Sequence, residues 1–193
     1  MKYDGKQELL DFLSALDDRL EEDGLDGKIP LFIFGGAAVV IAYGAPRATV
    51  DIDAAVDDRA IEKKLVAWAG RDTVLATKHG IYFQPAVIYM MPIEDPDWRE
   101  RCVEVLPGRL KHFSVKALGK EDLILSKLGR YGDRDRADIQ FLAENHAVDV
   151  KKLIVMYTVA RDYYVGRLSE LDLTFNIVLE EHFGHAPVKF EKA

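Results

Sequence analysis

Gly35-Gly36-Ala37-Ala38-Val39-Val40-Ile41-Ala42-Tyr43-Gly44-Ala45-Pro46-Arg47-Ala48-Thr49-Val50-Asp51-Ile52-Asp53 is the stretch on which the fold turns. It opens on a glycine pair, continues with enough apolar residues for a short helix over 37–43, closes on Gly44 and Pro46, and ends in two acids one residue apart. Residues 50–56 alternate and read as a strand. Residues i and i+2 of a strand share a face, so Asp51 and Asp53 project side by side while Ile52 turns into the core. Parallel carboxylates repel unless a cation sits between them. Mg²⁺ suits two hard oxygen ligands, because it keeps several waters and usually binds through one or two carboxylates together with substrate phosphates. The glycine pair supplies the other half of a phosphate site: a helix start presents backbone N–H groups to an anion, with no Cβ in the way.

Outward from this stretch, residues 29–34 are short, apolar and ended by glycines, which reads as a buried strand. Before them, residues 7–22 carry Leu9, Leu10, Phe12, Leu13, Leu16 and Leu20 on one helical face, with Gly24 as a stop. After them, residues 59–70 return to helical spacing. Residues 73–77 and 81–91 read as strands, with a turn near His79-Gly80 and Pro85 marking an edge or bulge. Residues 93–101 read as a loop or single-turn excursion, and 101–106 with 110–117 as a strand pair around Pro107-Gly108. From Lys120 the period changes from two to 3.6, giving helices over 121–131, 135–146, 150–163 and 168–183. The expected organisation is α+β over residues 1–118 and helical over 119–193.

Length and composition bound the function. A chain of 193 residues with 49% hydrophobic and 31% charged residues buries an ordinary globular core. Its formal charge of -7 argues against a broad basic surface for a nucleic acid backbone. The one cysteine, Cys102, leaves no intramolecular disulfide to form, and the chain opens on polar residues, so a cytoplasmic setting is expected. The apolar run over 31–43 is broken by glycines and too short to span a bilayer.

Gly35-Gly36, followed by Gly44-Ala45-Pro46-Arg47-Ala48-Thr49-Val50-Asp51-Ile52-Asp53, resembles the signature of the minimal nucleotidyltransferases of the DNA polymerase β superfamily. It is most similar to the small prokaryotic proteins related to the nucleotidyltransferase halves of toxin–antitoxin and abortive-infection systems. Glu121-Asp122-Leu123-Ile124, Lys127 and Arg134-Asp135-Arg136-Ala137-Asp138-Ile139 resemble a downstream helical segment of the same group. The resemblance implies an α+β fold, a nucleotidyltransferase-type mixed β-sheet flanked by helices, with the helical C-terminal part closing over the site. It implies transfer of a nucleoside monophosphate from an NTP to a hydroxyl, dependent on Mg²⁺ or Mn²⁺. Asp51 and Asp53 would be catalytic and hold the metal; Gly35, Gly36, Arg47, Thr49, Lys127 and Asp135 would contact the nucleotide. The acceptor is left open among a partner protein, a tRNA end and a small molecule, and no membrane is involved. One departure stands out. The family usually places a third carboxylate on a later strand, whereas residues 81–91 contain no Asp or Glu; Gln84, Val87 and Tyr89 occupy that stretch, and Glu94 and Asp95 follow it.

Each signal also has a plain structural reading. A glycine pair can be a tight strand-to-helix turn, and acids at i and i+2 can be a strand's solvent face. Arg47 could pair with Asp57 or Asp58, Thr49 could simply begin a strand, and Lys127 could extend its head to water. Asp135 and Asp138 suit a helix start. His182 and His185 lack the further ligands of a zinc set. Cys102 has no activating neighbour in sequence. The rival functional reading is a nucleotide-binding or partner-binding module that has lost catalysis.

Overall fold

A computed structural model of the chain describes residues 5–86 and 96–190. The chain divides into two compact units, Met1–Ala86 with Cys102–Leu118, and Val87–Arg101 with Gly119–Ala193.

The first unit is built on a five-stranded mixed sheet in the order β3-β2-β1-β5-β4. The apolar run at residues 29–34 forms the central strand, β1 (Ile29–Ile33), whose Leu31, Phe32 and Ile33 are buried. It pairs antiparallel with β2 (Asp51–Ala55) and parallel with β5 (Phe113–Ala117). β3 (Tyr82–Pro85) lies parallel to β2, and the two-residue β4 (Val103–Glu104) closes the other edge antiparallel to β5. Four helices complete the unit: α1 (Gly5–Glu22), α2 (Gly35–Tyr43), α3 (Arg59–Ala69) and α4 (Val74–His79). α1 buries Leu9, Phe12, Leu13, Leu16 and Leu20 and packs on α2, α3 and α4. A buried acid on the same face, Asp17, accepts from the backbone N–H groups of Lys111, His112 and Phe113 at 2.7, 2.9 and 3.0 Å. Those bonds satisfy the carboxylate and fix the chain entering β5.

α2 is apolar all round, as only an enclosed helix can be, and Ala37 to Ile41 are all buried. It ends where Gly44 turns left-handed (φ 76°) and its N–H returns to the carbonyls of Val39 and Val40.

The strand expected over 73–77 is instead the helix α4. Thr73 caps it by accepting from the Ala76 N–H at 3.2 Å, and Gly80 (φ 67°) closes it. With caps at both ends, Val74 is left exposed and Ala76 buried, which is a helical rather than an alternating arrangement. Of the strand expected over 81–91, Tyr82–Pro85 is seen, and residues 87–91, with Val87 and Tyr89, lie outside the described residues.

The second unit is helical among its described residues: a 3₁₀ turn (Pro96–Arg99), α5 (Lys120–Ser126), α6 (Asp133–Asn145), α7 (Val150–Arg161) and α8 (Leu168–Phe183). α5 packs on α7, and α8 on both α6 and α7. The seam of α7 with α8 is aromatic and ionic together. Tyr157 stacks on Phe175 with centroids 3.8 Å apart, its hydroxyl donates to Asp172 at 2.6 Å, and Arg161 forks onto the same carboxylate at 2.8 and 3.1 Å. The helix expected over 121–131 stops at Ser126. Beyond it the N–H groups of Lys127 and Leu128 bond three residues back, and Tyr131 sits at φ 44°. No described helix is long and apolar enough to cross a membrane.

Candidate active site

The register of β1 with β2 builds the site. Phe32 lies opposite Ala55 and Ile33 opposite Ala54, and the next step brings the Phe34 N–H onto the Asp53 carbonyl at 2.8 Å. Phe34 is also the residue before α2, so the helix begins beside Asp53. Gly35 takes φ 57° there, and a Cβ on it would stand 2.8 Å from Asp53 Oδ2. Glycine is therefore required twice over, for the left-handed backbone and for the close approach. Phe34 offers no side-chain oxygen to the first turn of α2. A Cβ on the next residue, Gly36, would collide with the Arg47 guanidinium. The positive end of a helix and an arginine thus share one spot, an arrangement that favours an anion.

On β2, Ile52 is buried while Asp51 and Asp53 are half-buried on the opposite face. Each acid has a neighbour on β3 in parallel register, Tyr82 beside Asp51 and Gln84 beside Asp53. The Tyr82 hydroxyl lies 3.5 Å from Asp51 Oδ2 and in turn accepts from Arg71, whose guanidinium rests over the Tyr82 ring 4.5 Å from its centroid. Gln84 donates through Nε2 to Asp53 Oδ1 at 3.1 Å. Thr49 Oγ1 is 3.2 Å from Asp51 Oδ1 and 3.0 Å from the Asp51 carbonyl; its single proton is shared between them. Gly35, Gly36, Arg47, Thr49, Asp51 and Asp53 all belong to the first unit.

Lys127 and Asp135 belong to the second unit. Lys127 is 5% exposed, and its Nζ sits 2.7 Å from Asp138 and 3.6 Å from Asp135. Asp135 also accepts a bidentate pair from Arg130 at 2.8 and 2.9 Å and the Gly132 N–H at 3.1 Å. Burial pushes the Asp135 carboxyl up, but the Arg130 hydrogen bonds and the Lys127 charge outweigh it and hold the group below its ordinary range. Lys127, Asp135 and Asp138 are thus paired with one another within the second unit.

The donor set in the first unit fits Mg²⁺ or Mn²⁺ in one particular way. Among the described residues no group of three or more His, Cys, Asp or Glu side chains is arranged to hold a metal ion. Two hard carboxylates beside an anion-favouring helix start suit an ion that completes its shell with water and substrate phosphate, and do not suit an all-protein cage. Glu94 and Asp95, the acids nearest in sequence to β3, lie outside the described residues.

A family model described as "Nucleotidyltransferase of unknown function (DUF6036)" matches residues 11–182. The chain belongs to this nucleotidyltransferase family. No curated protein and no solved structure matches it. The match runs through both units, so the nucleotidyltransferase is more than the sheet that carries Asp51 and Asp53. Tyr82 and Arg71 were not singled out in the sequence, because the register that sets Tyr82 beside Asp51, and with it the reach of Arg71 to Tyr82, is a tertiary pairing. What could have found Tyr82 is its two-residue spacing from Gln84, which mirrors that of Asp51 and Asp53.

Proposed function

We propose that this nucleotidyltransferase moves a nucleoside monophosphate from an NTP to a hydroxyl acceptor, with Asp51 and Asp53 holding Mg²⁺ or Mn²⁺. The observation that carries the reading is the junction of α2 with β2: Gly35 pressed on the Asp53 carboxylate, and Arg47 lying against Gly36. There the first-turn N–H groups and the Arg47 guanidinium bind the triphosphate. Gly35 and Gly36 admit it closely. Thr49 and Tyr82 orient Asp51, and Gln84 orients Asp53. Asp51 and Asp53 would hold the divalent ion, which would supply charge neutralisation for the phosphates. For Lys127 and Asp135 as nucleotide contacts, the support is the resemblance of their segment to the downstream motif of the DNA polymerase β superfamily. The same resemblance supports a role as one partner of a toxin–antitoxin system in the cytoplasm, modifying a protein, a tRNA end or a small molecule.

Metal-dependent pyrophosphate release from each NTP tests the assignment. Asp51→Asn together with Asp53→Asn is expected to lower the rate by at least about a hundredfold, the scale of losing charge stabilisation in such chemistry. Equal rates from the two proteins would sink it. The second reading, a module that binds nucleotide without turnover, is favoured by the strand beside Asp53 offering the amide of Gln84 and no acid among its described residues. Calorimetric binding of Mg²⁺-ATP with no pyrophosphate release across protein, tRNA and small-molecule acceptors would select it.

A further inference from the structure

Resting on that reading of Asp51, we infer that Arg71 is a positioning residue of the site, acting on Asp51 through the Tyr82 hydroxyl. Arg71 stands in the turn between α3 and α4, and that turn is tied twice. The Thr73 N–H and Thr73 Oγ1 both donate to the Gly70 carbonyl, at 3.2 and 2.9 Å. From there the Arg71 guanidinium lies over the Tyr82 ring, 4.5 Å from the centroid, and donates through Nη2 to the Tyr82 hydroxyl. A planar guanidinium can stack on a ring and donate from its edge at once. It offers donors alone, so the Tyr82 oxygen accepts from it and the one hydroxyl proton points elsewhere. The register of β2 with β3 sets Asp51 beside Tyr82, and Asp51 Oδ2 is the acceptor placed there, at 3.5 Å. Thr49 Oγ1 stands at the other oxygen, Oδ1, at 3.2 Å. Asp51 is therefore steered at both oxygens, and Arg71 sets which way one of the two donors faces. A contact of 3.5 Å is at the outer limit of hydrogen bonding, so it turns the carboxylate without drawing off the charge that an ion would use.

Two effects of Arg71 on ion binding have opposite signs. Its positive charge repels a cation through solvent, which weakens affinity by roughly a few-fold across a screened surface. Its hold on the hydroxyl keeps Asp51 in a ligating direction, and partners behind a metal ligand are worth about 10–100-fold in affinity. The second effect runs through the hydroxyl and the first does not, so a double-mutant cycle separates them. Tyr82→Phe removes the hydroxyl and keeps the ring; Arg71→Gln removes the charge and the fork. Arg71 is exposed and phenylalanine fills the space of the Tyr82 ring, so both variants are expected to fold, and thermal melts check it. Titration of the full chain with Mn²⁺ alone, followed by the paramagnetic resonance of free Mn²⁺, reads affinity without any turnover. Tyr82→Phe is expected to bind about tenfold more weakly. Arg71→Gln is expected to bind at least about threefold more weakly in the wild-type background, and no more weakly in the Tyr82→Phe background. An equal effect of Arg71→Gln in both backgrounds, tighter binding by that single variant, or wild-type affinity in Tyr82→Phe would overturn the inference and leave the proposed activity standing. Mn²⁺ binding unchanged by Asp51→Asn would instead remove the metal reading of Asp51, and the inference with it.

Discussion

Gly35 and Gly44 both have positive φ, at 57° and 76°, yet only Gly35 faces a neighbour. A left-handed non-glycine residue costs about 1–2 kcal/mol, so alanine at either position should destabilise by roughly that amount in urea unfolding. Gly35→Ala alone also pushes a methyl onto Asp53 Oδ2. It should lower nucleotidyl transfer by more than about tenfold, the expected price of about 1.4 kcal/mol of lost transition-state stabilisation. Gly44→Ala, with nothing within 4 Å of the new methyl, should leave the rate alone. Equal rate losses would mean that strain in α2, and not contact with Asp53, is what matters. Lys127 offers a second contrast at this scale. Methionine there strips Asp138 of its 2.7 Å partner inside the second unit, and breaking a buried pair typically costs about 3–5 kcal/mol. Denaturant midpoints for Lys127→Met and for Lys127→Met with Asp138→Leu separate the roles. Recovery of stability in the double variant is expected; an unchanged midpoint in the single variant would show that the buried Lys127–Asp138 pair adds nothing net to stability.

Among the elements, α4 depends most on its ends. It has six residues, far below the length at which helices persist unaided, and Thr73 and Gly80 cap it. Thr73→Ala removes the bond to the Ala76 N–H and should cost about 1 kcal/mol, measured as a lower melting temperature. A shift indistinguishable from zero would show that packing against α1 and α3 holds this segment without its cap. α2 is the opposite case. Its buried residues and its glycine C-cap hold it, so the start of the helix is free to carry glycines that would weaken an exposed one. Placing weak helix formers at the start of an enclosed helix is what allows close approach to Asp53.

At the scale of the whole molecule, stability should depend on carboxyl groups whose folded pKa is lowered. Asp135 is held below its ordinary range as described, and at Asp172 the hydrogen bonds from Arg161 and Tyr157 outweigh a burial that pushes it up. A carboxyl whose folded pKa is depressed stabilises the fold above its unfolded pKa of about 4, and that contribution disappears as pH falls through the lower folded value. Unfolding free energy should thus be level near neutrality with respect to these groups and fall steadily below about pH 4. Asp135→Asn should be less stable at pH 7 and show a flatter decline in acid. A decline as steep as that of the wild type would place the acid sensitivity elsewhere. The chain's pI of about 5.3 lies within this approach to acid, so solubility is best checked separately by light scattering.

The sequence by itself determined several elements whose signal is local. The period of the leucines in α1, the apolar run of β1, the glycines around α2 and the alternation of Asp51, Ile52 and Asp53 each depend on neighbours a few residues away, and each element stands where its pattern put it. Residues 73–77 misled because Thr73, Val74 and Thr77 are β-branched and favour strands in isolation, while a threonine cap and tertiary burial of Ala76 favour the helix. Only the tertiary structure decided which residues flank the acids. Tyr82 and Gln84 reach Asp51 and Asp53 through a parallel pairing across about thirty residues of chain, and the burial of Lys127 with Asp138 joins a helix end to the next helix. Pairing register and charge burial are properties of the packed chain, fixed by which faces must leave water together.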